Sequence, residues 1–447
     1  MNHSRFAASR ASSPGFLVSM AMALFAAPVL GAACSRVVIN GNLNLSDYEH
    51  RASRTETKKL ELKTSETFSV NIRGGKLNIR VCKGSETPSL NATITTFGET
   101  SEEAAKNLEL AKFIVERGEN GIEVRLDAGE VVIQKPGIYS RMFPTADIEA
   151  IIPQSCLLKL STGAGSINAE GPFAECDVDS KYGVIQLSNA SGSVKARSSS
   201  GNIQISKVKL AETLDAHSSY GHITIRDAQT KTLQVNSSSG NMMIENTEAE
   251  SQKVKTSYGN IQILRVTGAL SLQSSSGNIT IDDAEPGSID AETGYGNINI
   301  KKTGGKCRAK TSSGNVQISH FEGAVDARSS YGRVHTDGIL TALQAASSSG
   351  EVKATIRPGS VMQQNWSLTS GYGNITIKLP DDFAADVDAK TSYGSVDCDF
   401  QELMAGFTKK DRALRGILNS DSAPSGGVHT LTLKTSSGRV SIQKIAD

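Results

Sequence analysis

From about residue 150 onward, apolar positions come in short alternating runs that stop at a glycine and start again. In one stretch Leu214, Ala216 and Ser218 alternate with Asp215, His217 and Ser219. Beyond Tyr220-Gly221, Ile223 and Ile225 alternate with His222, Thr224 and Arg226. A period of two predicts two short strands meeting at a glycine turn, each with one buried and one solvated face. The same places hold Val194, Ala196, Ile203 and Ile205 in one copy, and Leu270, Leu272, Ile279 and Ile281 in another. Small apolar residues stacking copy on copy predict inward ladders and a narrow core.

The phrase around the turn recurs as SSSGNIQI, SSYGHITI, SSSGNMMI, TSYGNIQI and SSSGNITI. Its glycines are Gly165, Gly183, Gly201, Gly221, Gly240, Gly259, Gly277, Gly296, Gly314, Gly332, Gly350, Gly373 and Gly394, with a last copy at Gly438. Most spacings are 18 to 20 residues. A fixed period of this size predicts a solenoid, in which each repeat buries its apolar side only against its neighbours. The expected fold is therefore all-β, a parallel β-solenoid (β-helix) over residues 151–447.

Three features of the phrase have structural readings. The Ser or Thr three places before each glycine (Ser198, Ser218, Ser237, Thr256, Ser274, Thr293, Thr311) has core parity, so its hydroxyl must bond a neighbouring rung or the turn backbone. The glycine supplies either a positive φ or a close backbone approach. The Asn that follows (Asn202, Asn241, Asn260, Asn278) suits an amide ladder. The residue just before the glycine alternates between Tyr (182, 220, 258, 295, 331, 372) and Ser (200, 239, 276, 313, 349). Two copies per turn would stack Tyr on Tyr along one edge and Ser on Ser along another; one copy per turn would alternate them up a single edge. Two copies per turn is the favoured expectation, because it gives like-on-like ladders.

Residues 34–150 show no repeat and read as a small α+β entry that covers the open end of the stack, with an independent binding domain as the alternative. Phe68–Ile72 and Leu77–Val81 look like strands joined by a turn at Gly74-Gly75. Ser101 looks like the N-cap of an amphipathic helix carrying Leu108, Ala111, Phe113 and Ile114 and ending near Arg117. Residues 403–427 interrupt the repeat with a Ser/Pro/Gly-rich segment, expected to be an inserted loop or a cap protecting the last rung.

The first 33 residues read as an export signal. Arg5 and Arg10 precede an uncharged, mostly apolar run from Phe16 to Val29, and LGAAC closes it. That ending is similar to a bacterial lipobox, which makes Cys34 the expected lipidation site; plain cleavage after Ala33 is the alternative. Ser35 lacks the acidic residue that would favour inner-membrane retention, so an outer-membrane or surface position is expected. The other cysteines, Cys82, Cys156, Cys176, Cys307 and Cys398, show no CxxC spacing and are expected to be buried thiols, with a Cys156–Cys176 pair left open. With 47 basic and 46 acidic residues, no global field favours a nucleic acid.

Taken together, the GGKLNI opening, the short helix, the IEAIIPQSCLLKLSTGAGSI entry, the TSSGN/SYGNI phrase and the GGVHTLTLKTSSGRVSI ending resemble the bacterial putative-adhesin family of exported β-strand-repeat proteins. That resemblance covers nearly the whole chain beyond the signal. It implies a parallel β-helix on the cell envelope with an adhesive role, and it supplies no catalytic residue.

Enzymatic chemistry has one candidate. Asp386 and Asp388 flank Val387, and Asp397 and Asp399 flank Cys398, so four carboxylates could share an outer face and hydrolyse a glycosidic bond or hold Ca²⁺. A solvated acidic face is the preferred reading. No G-x-S-x-G elbow is present, and His217 and His222 flank a single turn without further ligands. The outward positions Gln204, Thr224, Met243, Gln262 and Asn299 are too irregular for an ice-binding array. The expectation is a non-enzymatic scaffold without a cofactor, docking a cell-wall or surface glycan or an envelope protein. A carbohydrate-active enzyme and an accessory of envelope-stress signalling are the alternatives.

Overall fold

The alternating runs form strands, and each lies parallel to the strand one repeat away. The computed structural model describes residues 34–37, 50–135, 138–419 and 428–445. On one wall Glu175–Ser180 pairs with Ser193–Ser198, which pairs with Thr213–Ser218. Across the glycine turn Ile185–Ser188 pairs with Ile203–Lys209, and that strand with Ile223–Ser237. The chain is a parallel β-solenoid.

Successive copies sit directly on one another, so one copy makes one turn. This corrects the expectation of two copies per turn. The reason is a second corner opposite the glycine turn, where Lys207, Asp227, Asn246, Arg265, Asp283, Lys302 and His320 take φ values between 48° and 53°. Left-handed backbone reverses the chain within a residue or two, so two short strands and the extended segment between corner and wall already close a coil. The corner also shifts the alternation by one place. Ile223 and Ile225 are buried before Asp227 and Ala228 and Thr230 after it, and a second shift before Leu233 and Val235 restores the first parity.

At the glycine turn the requirement is space. From Gly183 onward none of the turn glycines has a positive φ. A Cβ on Gly259 would instead lie 1.9 Å from the carbonyl oxygen of Gly240, and one on Gly277 1.7 Å from that of Gly259. Beneath each glycine the buried hydroxyl makes two bonds. Ser218 Oγ accepts the Gly221 N–H at 2.9 Å and donates to the Gly201 carbonyl at 3.3 Å. Ser347 does the same with Gly350 and Gly332, both at 2.8 Å. The hydroxyl thus ties its own turn to the one below. The following Asn extends the tie: Asn260 Oδ1 accepts the Asn278 N–H at 2.8 Å, and Asn278 Oδ1 that of Asn297 at 2.8 Å.

Both ends of the stack depart from chain order. Thr67–Gly74 and Leu77–Val81 are not a hairpin; they form one coil, lying between Gly121–Asp127 with Thr145–Ile152 on one side and Leu157–Ala164 with Ile167–Glu170 on the other. At the far end Thr430–Thr435 and Val440–Lys444 slot between the copy at Gly373 and the copy at Gly394. Antiparallel strands close each end: Ser89–Gly98 and His50–Lys59 beside Thr145–Ile152, and Ala413–Leu418 with Met404–Lys410 beside Ala385–Thr391. The irregular segment after residue 403 is therefore, in its described part, a capping hairpin, and residues 420–427 lie outside the described residues.

The helix is shorter than its apolar spacing suggests. It spans Ser101–Leu110 with Thr100, not Ser101, as N-cap, and Lys112–Gly118 turns antiparallel onto Gly121–Asp127. Phe113 is buried from that strand. Pairing with a sheet edge overrode the helical periodicity of residues 111–117.

The core ladder through Leu214 contains a buried amide. Leu214, Leu233, Gln252, Leu270 and Ile289 stand in register, and Gln252 is wholly buried. Its Nε2 donates to the Thr267 carbonyl at 2.8 Å while Oε1 has no partner. Gln252→Leu should therefore raise stability in denaturant unfolding, by about 1 kcal/mol, since a buried unpaired amide oxygen costs roughly 1–3 kcal/mol.

The turn glycines give a sharper contrast. Gly259→Ala should destabilise by roughly 1–3 kcal/mol or more, because backbone rather than a flexible side chain must move. Gly287→Ala meets nothing within 4 Å and has no positive φ, so it should be neutral or stabilise by about 0.4–1 kcal/mol. Equal losses at both sites, read from denaturation midpoints, would contradict the close-approach account.

Candidate functional site

The turn edge is the most regular surface of the molecule. Tyr220 N–H donates to Ser199 O, Ser239 N–H to Ser219 O, Tyr258 N–H to Ser238 O and Ser276 N–H to Ser257 O, so the residue before each glycine stands above its counterpart one rung away. Tyr and Ser consequently alternate up a single edge. Tyr220, Tyr258, Tyr295, Tyr331, Tyr372 and Tyr393 are 69–73% exposed and Tyr182 48%. Parallel strands lie about 4.8 Å apart, so the rings recur at about 9.6 Å.

This edge carries no charge over seven consecutive rungs, the sequence at each being SSGN, SYGH, SYGN or GYGN. The opposite corner is charged and cross-linked: Arg265 Nε donates to Asn246 Oδ1 at 2.7 Å, and Asn246 Nδ2 to Asp227 Oδ1 at 2.9 Å. Two shallow polar grooves flank the tyrosine edge. One, of about 620 Å³, runs past Asn236, Lys255, Gln273, Glu292 and Tyr295; the other, of about 480 Å³, past Gln204, Thr224, Asn241 and Gln262. His217 lines the first and His222 the second, so the two histidines lie on opposite sides of the edge. His222 Nδ1 accepts the Asn241 N–H at 3.1 Å, replacing an Asn in the ladder.

The four aspartates do not share a face, which corrects the expectation built on their spacing. Asp386 and Asp388 lie on Ala385–Thr391 and Asp397 on Val396–Cys398, with the Gly394 turn between the two strands; Asp399 follows the second. The parity argument located each outward residue correctly but could not show that the turn divides the walls. Asp388 is the most constrained: Arg415 Nε lies 2.9 Å away, and Lys390 and Lys434 Nζ each 3.5 Å. Burial alone would raise its carboxyl, but the Arg415 hydrogen bond and the three cations outweigh that and hold it below its ordinary value. Asp397 meets Arg439 at 3.3 Å, Asp386 accepts from Thr430 Oγ1 at 3.4 Å, and Asp399 accepts the Lys444 N–H at 3.4 Å. Among the described residues no group of three or more His, Cys, Asp and Glu is placed to hold a metal ion.

Cys82, Cys156, Cys176, Cys307 and Cys398 are free thiols. Cys176 stands opposite Leu158 rather than Cys156, which settles the open pairing. Burial pushes the thiols of Cys156, Cys176 and Cys307 up to about 12. Of Cys34 only the backbone is described, paired opposite Met142.

A model of the family described as Toastrack DUF4097 matches residues 147–331 and again 303–443. Among solved structures, the chain is similar to a putative adhesin from Bacteroides fragilis at 15% identity, with 61% of this chain and 96% of that one covered and a TM-score of 0.31. It is also similar to a putative cell adhesion protein from Clostridium sporogenes at 9% identity, covering 88% and 100%, with a TM-score of 0.15. No curated protein matches it.

The Asp388 arrangement is testable through pH. A depressed carboxylate stabilises the fold above its unfolded value, about 3.9, and that contribution disappears as pH falls through the lower folded value. Asp388→Asn should lower the melting temperature at neutral pH, with the gap to the parent closing in acid. Asp397→Asn/Asp399→Asn should stay within about 0.5 kcal/mol of the parent throughout.

Proposed function

The chain belongs to the Toastrack DUF4097 family, and from that premise we propose that it is a non-enzymatic binding scaffold of the cell envelope, an adhesin in the broad sense. The observation that carries this reading is the distribution of polar groups. They run in ladders along a rigid stack, such as Gln186 to Gln204 at 3.0 Å and Lys310 to Glu292 at 3.0 Å, and the four candidate carboxylates are divided between two walls. A broad wall of repeated weak donors and acceptors suits a polymer that binds at many points, since linked contacts multiply affinity. A cell-wall or surface glycan is the partner that fits, with an envelope protein as the second.

Export through residues 1–33 and lipid attachment at Cys34 complete the proposal. An acyl chain there would seat the end of the stack that carries Ile138–Met142 nearest the bilayer, because Cys34–Val37 pairs with that strand. No described helix is long and apolar enough to cross a membrane; in this proposal the lipid supplies the attachment.

The test is retention of the purified chain on insoluble peptidoglycan and on surface polysaccharide, with product analysis of each polymer. The expected outcome is saturable retention of intact polymer, equal for the parent and Asp397→Asn/Asp399→Asn. Polymer cleavage that disappears in the double variant would replace the scaffold by an enzyme. Failure of every polymer to retain the chain would remove the glycan from the proposal.

A further inference from the structure

The tyrosine edge is regular in a way that neither the core nor the hydrogen-bond ladders require. Rings on successive rungs would stack at about 4.8 Å as readily as any cross-β ladder, yet every ring is followed by a serine. The order holds even where the chain does not run in sequence. The copies at Gly373 and Gly394 both carry Tyr, at 372 and 393, and would break the alternation if they were neighbours. They are not, because Ser437 of the last copy lies between them: its N–H donates to Gly371 O, and the Tyr393 N–H donates to Ser436 O. In space the edge reads Tyr, Ser, Tyr without interruption from Tyr182 to Tyr393.

We infer that this edge is a zipper between two copies of the chain. Teeth recur every second rung, and each gap is floored by a serine, so a second copy displaced by one rung presents a tooth to every gap. Interleaved rings would lie about 4.8 Å apart, inside the roughly 4.5–7 Å separation of aromatic pairs. The two edges share one pitch by construction, so the fit accumulates no mismatch along the stack. A polymer of other chemistry has no such identity of repeat, and its contacts do not need the serines to be small.

Area and charge agree. The six rings from Tyr182 to Tyr372, most about 70% exposed, leave on the order of 100 Å² each to bury, so the teeth alone supply most of the roughly 800 Å² per partner of a standard interface. The central seven rungs are uncharged, so neither copy repels the other there or strips a charge of water. A two-fold axis lying in the interface and perpendicular to the stack gives a closed, antiparallel dimer rather than a fibre. Arg412 already lies over the Tyr393 ring, 5.9 Å from its centroid, so the engaged teeth are Tyr182 to Tyr372.

Two variants of the full chain test this by sedimentation velocity across the micromolar range, with circular dichroism confirming the fold. The parent should be a dimer. Tyr258→Ser/Tyr295→Ser/Tyr331→Ser should dissociate at least tenfold more readily. Ser276→Tyr/Ser313→Tyr fills two gaps and should also dissociate, although it adds aromatic surface. Stronger association of the gap-filled variant would show a merely adhesive aromatic patch and overturn the zipper. So would a parent that stays monomeric; retention of a glycan by that monomer, lost in the triple-tyrosine variant, would reassign the edge to polymer binding.

Discussion

Everything regular in this molecule follows from the contact between one turn glycine and the carbonyl of the next. With a Cβ excluded at 1.7–2.3 Å along the column from Gly183 to Gly438, the turns close to hydrogen-bonding distance and set the pitch of both walls. That approach leaves room beneath for a hydroxyl and little else. Ser or Thr is the smallest side chain that can accept the glycine N–H and donate to the carbonyl below, so an otherwise costly buried polar group becomes a second tie between rungs. The Asn after the glycine adds a third by accepting the next backbone N–H. Of the five turn positions, then, the glycine is fixed by space, the hydroxyl by the core and the Asn by the ladder. The place before the glycine is where a large side chain can project without disturbing the stack, and it is there that the tyrosines stand.

The ends obey a different constraint. A parallel stack exposes unpaired backbone on its first and last rungs, which invites end-to-end association. Here each end is closed by antiparallel strands, and each closing coil is separated from its sequence neighbour by a rung drawn from elsewhere in the chain. The interior can form rung by rung from local contacts, but Thr67–Val81 and residues 430–444 are held from both sides. Their strands can be withdrawn only by opening two interfaces at once, so fraying from either terminus is opposed by contacts of high sequence separation.

Sequence patterning made the walls, the inward ladders and the turn column legible because each rests on a repeated residue type at fixed parity. It could not resolve the number of copies per turn, since the corner that decides it carries Lys207, Asp227, Asn246, Arg265 and His320, which share a backbone conformation and no side-chain chemistry. The available signal was the loss of alternation between Ile225 and Ala228, repeated in every central copy. The helix was overextended because Phe113 and Ile114 satisfy a helical face as well as a strand edge. The aspartates were grouped by outward parity, which says nothing about which wall a strand occupies. Non-sequential placement of the last copy has no local signature at all; only the Tyr-Tyr succession at residues 372 and 393 hinted that a rung was missing between them.

That succession bears on how the surface pattern arose. Duplication of a two-copy unit would give strict alternation along the chain, and over residues 182–372 the two descriptions coincide. They part where chain order and spatial order differ. There the chain shows two tyrosine copies in a row, whereas the edge still alternates because Ser437 occupies the rung between them. A record of duplication would follow the chain; a requirement of the surface would follow space. The residues at this end follow space, as a requirement of the folded edge predicts.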